Sequence, residues 1–215
     1  MKTIMLQEAV ALIPDGASVM IGGFMGVGTP ERLVDELVRQ GKRNLTVIAN
    51  DNALPGIGIG KLISAGAVKK TIASHIGLNP ETQKKMLAGE LEVDLVPQGT
   101  LIERIRAGGF GLGGVLTPTG VGTVVEKGKQ RIEVEGKPYL LETALRADFA
   151  LVQAFLADYV GNLYYALTAR NFNPVMAMAA DTVIVDAENI VPVGVISPDQ
   201  VVTPAPVVDY IISHA

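Results

Sequence analysis

The run Asp15-Gly16-Ala17-Ser18-Val19-Met20-Ile21-Gly22-Gly23-Phe24-Met25-Gly26-Val27-Gly28-Thr29-Pro30 takes an apolar strand directly into glycines and then into a helix start. The strand is Ser18 to Ile21. Thr29 stands as N-cap, Pro30 at the first helical position and Glu31 in the first turn, with Leu33, Val34, Leu37 and Val38 on one face before Gly41. Strand, glycine turn and amphipathic helix in that order build a parallel sheet covered by helices. Glycines also let backbone N–H groups approach a ligand without Cβ interference, and a helix N-terminus adds partial positive charge. The segment therefore reads either as an anion site or as a tight packing turn.

The same alternation organises the flanking sequence. Met5 to Ile13 puts apolar residues on one broad helical face, stopped by Pro14-Asp15-Gly16. Leu45 to Ala49 is a buried strand followed by Asn50-Asp51-Asn52 and by Gly56, Gly58 and Gly60. Lys70 to Ala73 and Leu91 to Val96 are further strands, separated by a helix that starts at Asn79-Pro80-Glu81 and ends near Gly89. From Gly108 to Gly122 the density of glycine predicts a long functional loop. Arg131 to Val134 and Tyr139 to Leu141 read as a hairpin, Asp148 to Val152 and Thr182 to Val185 as buried strands. The tail with Pro192, Pro198, Pro204 and Pro206 is expected to run over the surface. The fold class is α/β, a largely parallel sheet with flanking helices, in one domain over residues 1–215.

Composition narrows the chemistry. At 48% apolar and 19% charged, the chain has more apolar content than a lone monomer needs, which points to subunit interfaces. No apolar run approaches the roughly 18 residues of a spanning helix, and the N-terminus lacks a signal-peptide core, so a cytoplasmic protein without membrane contact is expected. There is no cysteine and only two histidines, His75 and His214. Disulfides, thiolate nucleophiles and iron–sulfur clusters are thereby excluded, and metal or triad chemistry is disfavoured. A net charge of −4 with 5% aromatic residues and no basic stripe leaves no footprint for nucleic acid.

Both nucleotide fingerprints fail by position. Gly56-Ile57-Gly58-Ile59-Gly60-Lys61 is one residue short of a phosphate loop and has Leu62 where a magnesium-binding Ser or Thr is needed. Gly26-Val27-Gly28 and Gly111-Leu112-Gly113 both lack the third glycine of a dinucleotide site. His75 reads as a hydrogen-bonded residue at a strand end. Arg104 and Arg106 read as surface ion-pairing residues.

The run from Asp15 to Pro30 resembles the signature of the alpha subunit of family I CoA-transferases: Asp-Gly, three apolar residues, Gly-Gly-Phe and then Gly-x-Pro. The resemblance continues through Val96-Pro97-Gln98-Gly99-Thr100-Leu101, Glu103-Arg104-Ile105-Arg106-Ala107-Gly108-Gly109, Leu116-Thr117-Pro118-Thr119-Gly120-Val121-Gly122-Thr123 and Ala187-Glu188-Asn189-Ile190-Val191, nearly the whole chain. It implies ping-pong transfer: a glutamate attacks an acyl-CoA thioester, the released CoA thiolate converts the resulting anhydride to an enzyme thioester, and an acceptor acid takes the CoA. In the family that glutamate lies in a Ser-Glu-Asn-Gly motif of the beta subunit, and the tetrapeptide is absent here. Glu188, preceded by Ala187, reads as structural.

The resemblance implies no catalytic nucleophile in this chain and a homologous beta subunit that carries it, in a two-alpha, two-beta assembly. It assigns Gly22, Gly23, Phe24, Met25, Gly26, Val27, Gly28, Thr29 and Pro30 to CoA binding, with CoA as substrate and no permanently bound cofactor. Asn50 and Gln98 follow strands at one end of the sheet and are inferred to contact substrate oxygen. An Asx-turn and a surface glutamine explain those two residue types equally well. The glycine run after Ala107 looks closer to acetate/acetoacetate enzymes than to dicarboxylate or 3-oxoadipate enzymes, and a 3-oxoacid or 3-oxoadipate CoA-transferase alpha subunit is the alternative within the family. The rival readings are a sugar-phosphate isomerase-like domain and a non-catalytic CoA-binding scaffold.

Overall fold

The computed structural model describes residues 2–213, so His214 and the outermost residues of the expected 1–215 domain lie outside the described residues. The strands are β1 (Lys2–Ile4), β2 (Ser18–Ile21), β3 (Leu45–Ile48), β4 (Val68–Ala73), β5 (Glu92–Leu95), β6 (Gly114–Thr117), β7 (Arg131–Val134), β8 (Lys137–Thr143), β9 (Ala147–Asp158), β10 (Leu163–Tyr164), β11 (Ala180–Val191) and β12 (Tyr210–Ile212). The α-helices are α1 (Leu6–Ala11), α2 (Glu31–Arg39), α3 (Ile59–Ser64), α4 (Pro80–Leu87), α5 (Gln98–Gly109) and α6 (Asn173–Ala177). One sheet runs β1-β12-β11-β9-β2-β3-β4-β5, with β10 paired to β9, and β6-β8-β7 form a separate small sheet. In the large sheet every pairing is parallel except β9 with β10. This is the expected α/β architecture.

Alternation along the central strands explains why both faces need helices. Val19 and Ile21 of β2 join Val10, Leu33, Leu37, Leu62 and Ile63 on one face. Met20 between them joins Val152, Leu101, Ile105 and Met176 on the other. Burying each such side chain contributes about 1.5–3 kcal/mol.

Four expectations are corrected. Pro30, not Thr29, occupies the N-cap position of α2, and no side chain caps that helix; Thr29 is buried, its hydroxyl filling the space beside Gly23. The loop expected from Gly108 begins later, because Gly108 and Gly109 close α5 and Gly114–Thr117 is strand β6. Those two glycines serve close packing: a Cβ on Gly108 would lie 2.2 Å from the Leu145 carbonyl oxygen, and one on Gly109 would lie 2.7 Å from Cβ of Met178. The tail does not stay on the surface, since β12 inserts between β1 and β11 with Ile211 and Ile212 buried. The Met5–Ile13 helical face is shorter than expected: α1 covers Leu6–Ala11, and Met5 and Leu12 are exposed.

At the turn between β9 and β10, buried Asp158 accepts hydrogen bonds from the amides of Val160, Gly161 and Asn162 and from the Asn162 side chain, at 2.8–3.1 Å. Burial pushes its pKa up, but the Asn162 side chain and the three amides together hold it below the ordinary carboxylate value. A depressed folded-state pKa gives stability that is present above the unfolded value of about 3.9 and is lost as pH falls through the folded value. Asp158→Asn is expected to destabilise the protein by ~1–3 kcal/mol at pH 7. Thermal melts as a function of pH should show that gap narrowing below about pH 4.

Candidate functional site

At the carboxyl end of β2 the chain turns sharply. Phe24 and Val27 exchange backbone hydrogen bonds of 3.0 and 2.9 Å around Met25 (φ 49°) and Gly26 (φ 89°), a two-residue turn with both central residues left-handed. Two asparagines from the segment before and at the start of α6 hold its flanks. Asn171 accepts from the Gly23 amide (3.2 Å) and donates to the Val27 carbonyl (2.9 Å). Fully buried Asn173 donates to the carbonyls of Gly28 (2.9 Å) and Ala169 (2.8 Å) and accepts from the Gln153 amide (3.0 Å). Gly22 is where Asn173 needs room, because a Cβ there would lie 1.8 Å from its Oδ1. Gly28, at φ 77°, would place a Cβ 2.6 Å from the Ala169 carbonyl oxygen.

The expected site run divides into two groups. Gly22, Gly23, Thr29 and Pro30 are buried and shape the turn, while Phe24, Met25 and Val27 are 44%, 43% and 49% exposed at its tip. The expected cradle of amides is narrower than the glycine count suggests. The amides of Gly22, Gly23, Phe24, Met25, Val27 and Thr29 all donate within the protein. Those of Gly26 and Gly28 have no acceptor among the described residues. The start of α2 is met by its own Glu31, which accepts from the Gly58 amide (3.0 Å) and from Lys61 (2.7 Å).

Beside the turn lies a cleft of about 400 Å³ lined by Phe24, Met25, Asn50, Asp51, Ser74, His75, Leu78 and Gln98. The structure thus brings together the two sequence-selected amides, Asn50 after β3 and Gln98 at the first turn of α5. Gln98 Nε2 donates to Asn50 Oδ1 at 2.7 Å, Ser74 Oγ reaches the same oxygen at 3.1 Å, and Asn50 Nδ2 donates to Asp51 Oδ2 at 2.7 Å. Asn50 is buried and Gln98 exposed, so Gln98 lies at the open side of the pair and Asn50 behind it. The Asx-turn weighed for Asn50 belongs instead to Asp51, whose Oδ1 accepts from the Ala53 amide at 2.7 Å.

On the other side of the turn an apolar cleft of about 500 Å³ is lined by Phe24, Val27, Thr168 and Asn171. Lys61, the lysine of the near-phosphate loop, is engaged by Glu31 and by Asp35 (2.6 Å). His75 is exposed with its ring over Gly77, and the hydrogen bond expected of it is not found among the described residues. Arg106 pairs with Glu103 at 3.1 Å, whereas Arg104 donates to the Thr143 carbonyl at 2.8 Å rather than to an acid. Glu188 accepts from Gln153 Nε2 at 2.5 Å, away from the polar cleft.

Sequence reasoning missed Asn171, Asn173, Asp51 and Ser74. Asp51 had a local signal, its place between two asparagines directly after a buried strand. Asn171 and Asn173 had none, since their partners in the turn lie about 145 residues away in the chain.

A family model described as coenzyme A transferase matches residues 3–214. The chain is 57% identical over 211 residues to "Acetate CoA-transferase subunit alpha" of Escherichia coli, covering 98% of this chain and 96% of that one. It is 53% identical over 213 residues to "Acetoacetyl-CoA:acetate/butyrate CoA transferase alpha subunit" of Clostridium acetobutylicum, covering 99% and 98%. A solved structure of a variant of the decarboxylase AibA/AibB superposes with TM-score 0.82 at 30% identity, over 99% of this chain and 82% of that one.

The turn geometry yields a stability prediction. Gly22→Ala should displace the Asn173 side chain and cost about 3 kcal/mol, read from denaturant unfolding. Gly99→Ala, in α5 with nothing within 4 Å of the added Cβ, should instead be neutral or stabilise by about 0.5–1 kcal/mol.

Proposed function

The chain belongs to the coenzyme A transferase family, and from that premise we propose that it is the alpha-type subunit of an enzyme moving CoA between an acyl-CoA and a short-chain carboxylic acid of the acetate/acetoacetate kind. The observation that carries this reading is the near full-length identity to two such alpha subunits. The local geometry is compatible with it: a glycine turn with two uncommitted amides between an apolar cleft on one side and, on the other, a cleft in which Asn50, Asp51, Ser74 and Gln98 lie beside Phe24, Met25 and Leu78.

In this reading the turn from Gly22 to Pro30 receives the CoA thioester, with Phe24, Met25 and Val27 against its apolar arm. One N–H of Gln98 is held by Asn50, which leaves its second N–H for a substrate oxygen. The nucleophile is a glutamate of a homologous beta subunit. Its carboxylate attacks the thioester carbonyl and expels the CoA thiolate, giving an acyl-glutamyl anhydride. The thiolate then attacks the glutamyl carbonyl, releasing the first acid and leaving a glutamyl-CoA thioester. The acceptor carboxylate reverses the two steps with itself in place of the first acid. CoA is substrate throughout and no cofactor is permanently bound.

A two-alpha, two-beta assembly in the cytoplasm completes the proposal. Supporting it, the paired ends of β9 and β11 expose Tyr159, Val160, Val193 and Val195, and the end of α5 exposes Phe110 and Leu112, more apolar surface than isolated residues would present. No helix among the described residues is long and apolar enough to cross a membrane.

The test is to co-express the chain with its beta-type partner and measure CoA exchange between acetyl-CoA and butyrate or acetoacetate. Exchange is expected only with both chains present, with the covalent CoA adduct on the partner by intact mass. Exchange by this chain alone would remove the subunit assignment. Carbon dioxide release from an acyl-CoA in place of exchange would favour a decarboxylase.

A further inference from the structure

The geometry points to Asp51 as a positioning residue that couples the glycine turn to the amide pair, a role that rests on the transferase reading above. Asp51 is only 6% exposed, and no salt bridge reaches it among the described residues. A buried carboxylate without a cation must be held by hydrogen-bond donors. Its donors come from two directions. Oδ2 accepts from the Met25 amide at 3.0 Å and from Asn50 Nδ2 at 2.7 Å, while Oδ1 accepts from the Ala53 amide at 2.7 Å.

Two of those donors are unusual. Met25 (φ 49°) and Ala53 (φ 50°) are both non-glycine residues in left-handed conformation. Such residues are strained and persist where surrounding contacts hold them, often at functional sites. One carboxylate therefore holds both strained residues. One of them, Met25, is at the exposed tip of the turn proposed to receive CoA.

The second direction leads to substrate. Asn50 Nδ2 bound to Asp51 fixes which way the Asn50 amide faces, presenting Oδ1 to Gln98 Nε2 (2.7 Å) and to Ser74 Oγ (3.1 Å). Asp51 thus orients Gln98 through Asn50 and orients the turn through Met25. The two halves of the site, one for the thioester carrier and one for the acid, share a single buried carboxylate. Both Asp51 oxygens are taken up by donors of the protein, so it acts on the site through Met25 and Asn50.

The experiment uses the assembled two-chain enzyme, with steady-state exchange between acetyl-CoA and butyrate and, separately, calorimetric binding of CoA. Asp51→Asn replaces an acceptor by a donor, opposite either the Ala53 amide or the Met25 amide and Asn50 Nδ2 together, so one of the two strained residues loses its acceptor in either orientation. It is expected to lower kcat at least 30-fold and to raise KM for acetyl-CoA at least fivefold, with calorimetric CoA affinity falling in parallel. Asn50→Ala removes the arm to Gln98 and Ser74 and one of the two donors to Asp51 Oδ2 but leaves the Met25 amide on that oxygen, and is expected to lower kcat at least tenfold while KM for acetyl-CoA stays within twofold. If Asp51 acts on Gln98, the Asp51→Asn/Gln98→Ala double variant loses much less kcat than the product of the single losses. Asp51→Asn kinetics within twofold of wild type, fully additive losses, or Asn50→Ala with unchanged kcat would each overturn the proposal. Should Asp51→Asn fail to assemble, the Asn50→Ala split decides alone. A wild-type complex that neither binds CoA nor exchanges it would sink the transferase reading instead, which separates the two failures.

Discussion

The candidate site depends on one packing constraint: the Asn173 side chain occupies the volume that a Cβ on residue 22 would fill. From there its amide satisfies the Gln153 N–H and the carbonyls of Gly28 and Ala169, so β9, the glycine turn and the segment before α6 meet at one fully buried group. A buried amide with all these partners is stable, and one deprived of them is costly. The glycine at position 22 is thus explained by what lies beside it rather than by backbone flexibility. The same holds for Gly108 and Gly109, where a helix accepts poor helix formers so that two neighbouring segments can come close.

That distinction marks how far the fold could be read from the chain. Strand β2, the face of α2 and the β7–β8 hairpin were legible because each shows its period within a few residues. The start of α4 at Asn79-Pro80-Glu81 was legible too, and there Asn79 caps the helix by accepting from the Thr82 amide. Strands β1 and β12 were not, since three residues are too few to display a period and each is defined by its partner. The end of α5 was misread because glycine was taken as a sign of irregular backbone, when here it signals close packing. In the site, Asn50 and Gln98 were picked out by their place after strands. Their mutual contact, and the asparagines that carry the turn, come from contacts across the chain that no local pattern encodes.

The two clefts flanking the turn share the apolar wall of Phe24 and differ in the polar groups set beside it. The wall formed by Phe24, Val27, Thr168 and Asn171 is mostly apolar, whereas the other holds amides, a hydroxyl and one carboxylate. Neither is closed. Electrostatic effects on a reacting carbonyl are weak while water has access. On the proposed reading, a second subunit supplies the cover as well as the nucleophile, and the exposed side chains at the turn tip are contact surface for ligand or partner.

The insertion of β12 between β1 and β11 has a consequence for how the chain is made. β1 pairs with β12 alone, and β12 joins the sheet through β11. Residues 2–4 therefore have no sheet partner until residues 210–212 have been made. This side of the sheet closes as a contact spanning about 208 residues (Ile4 to Ile212). Contacts of such sequence separation form slowly because loop closure precedes any gain from pairing. Until then β11 presents an open edge to its surroundings, in a cell that must also bring together the other subunit of the proposed enzyme.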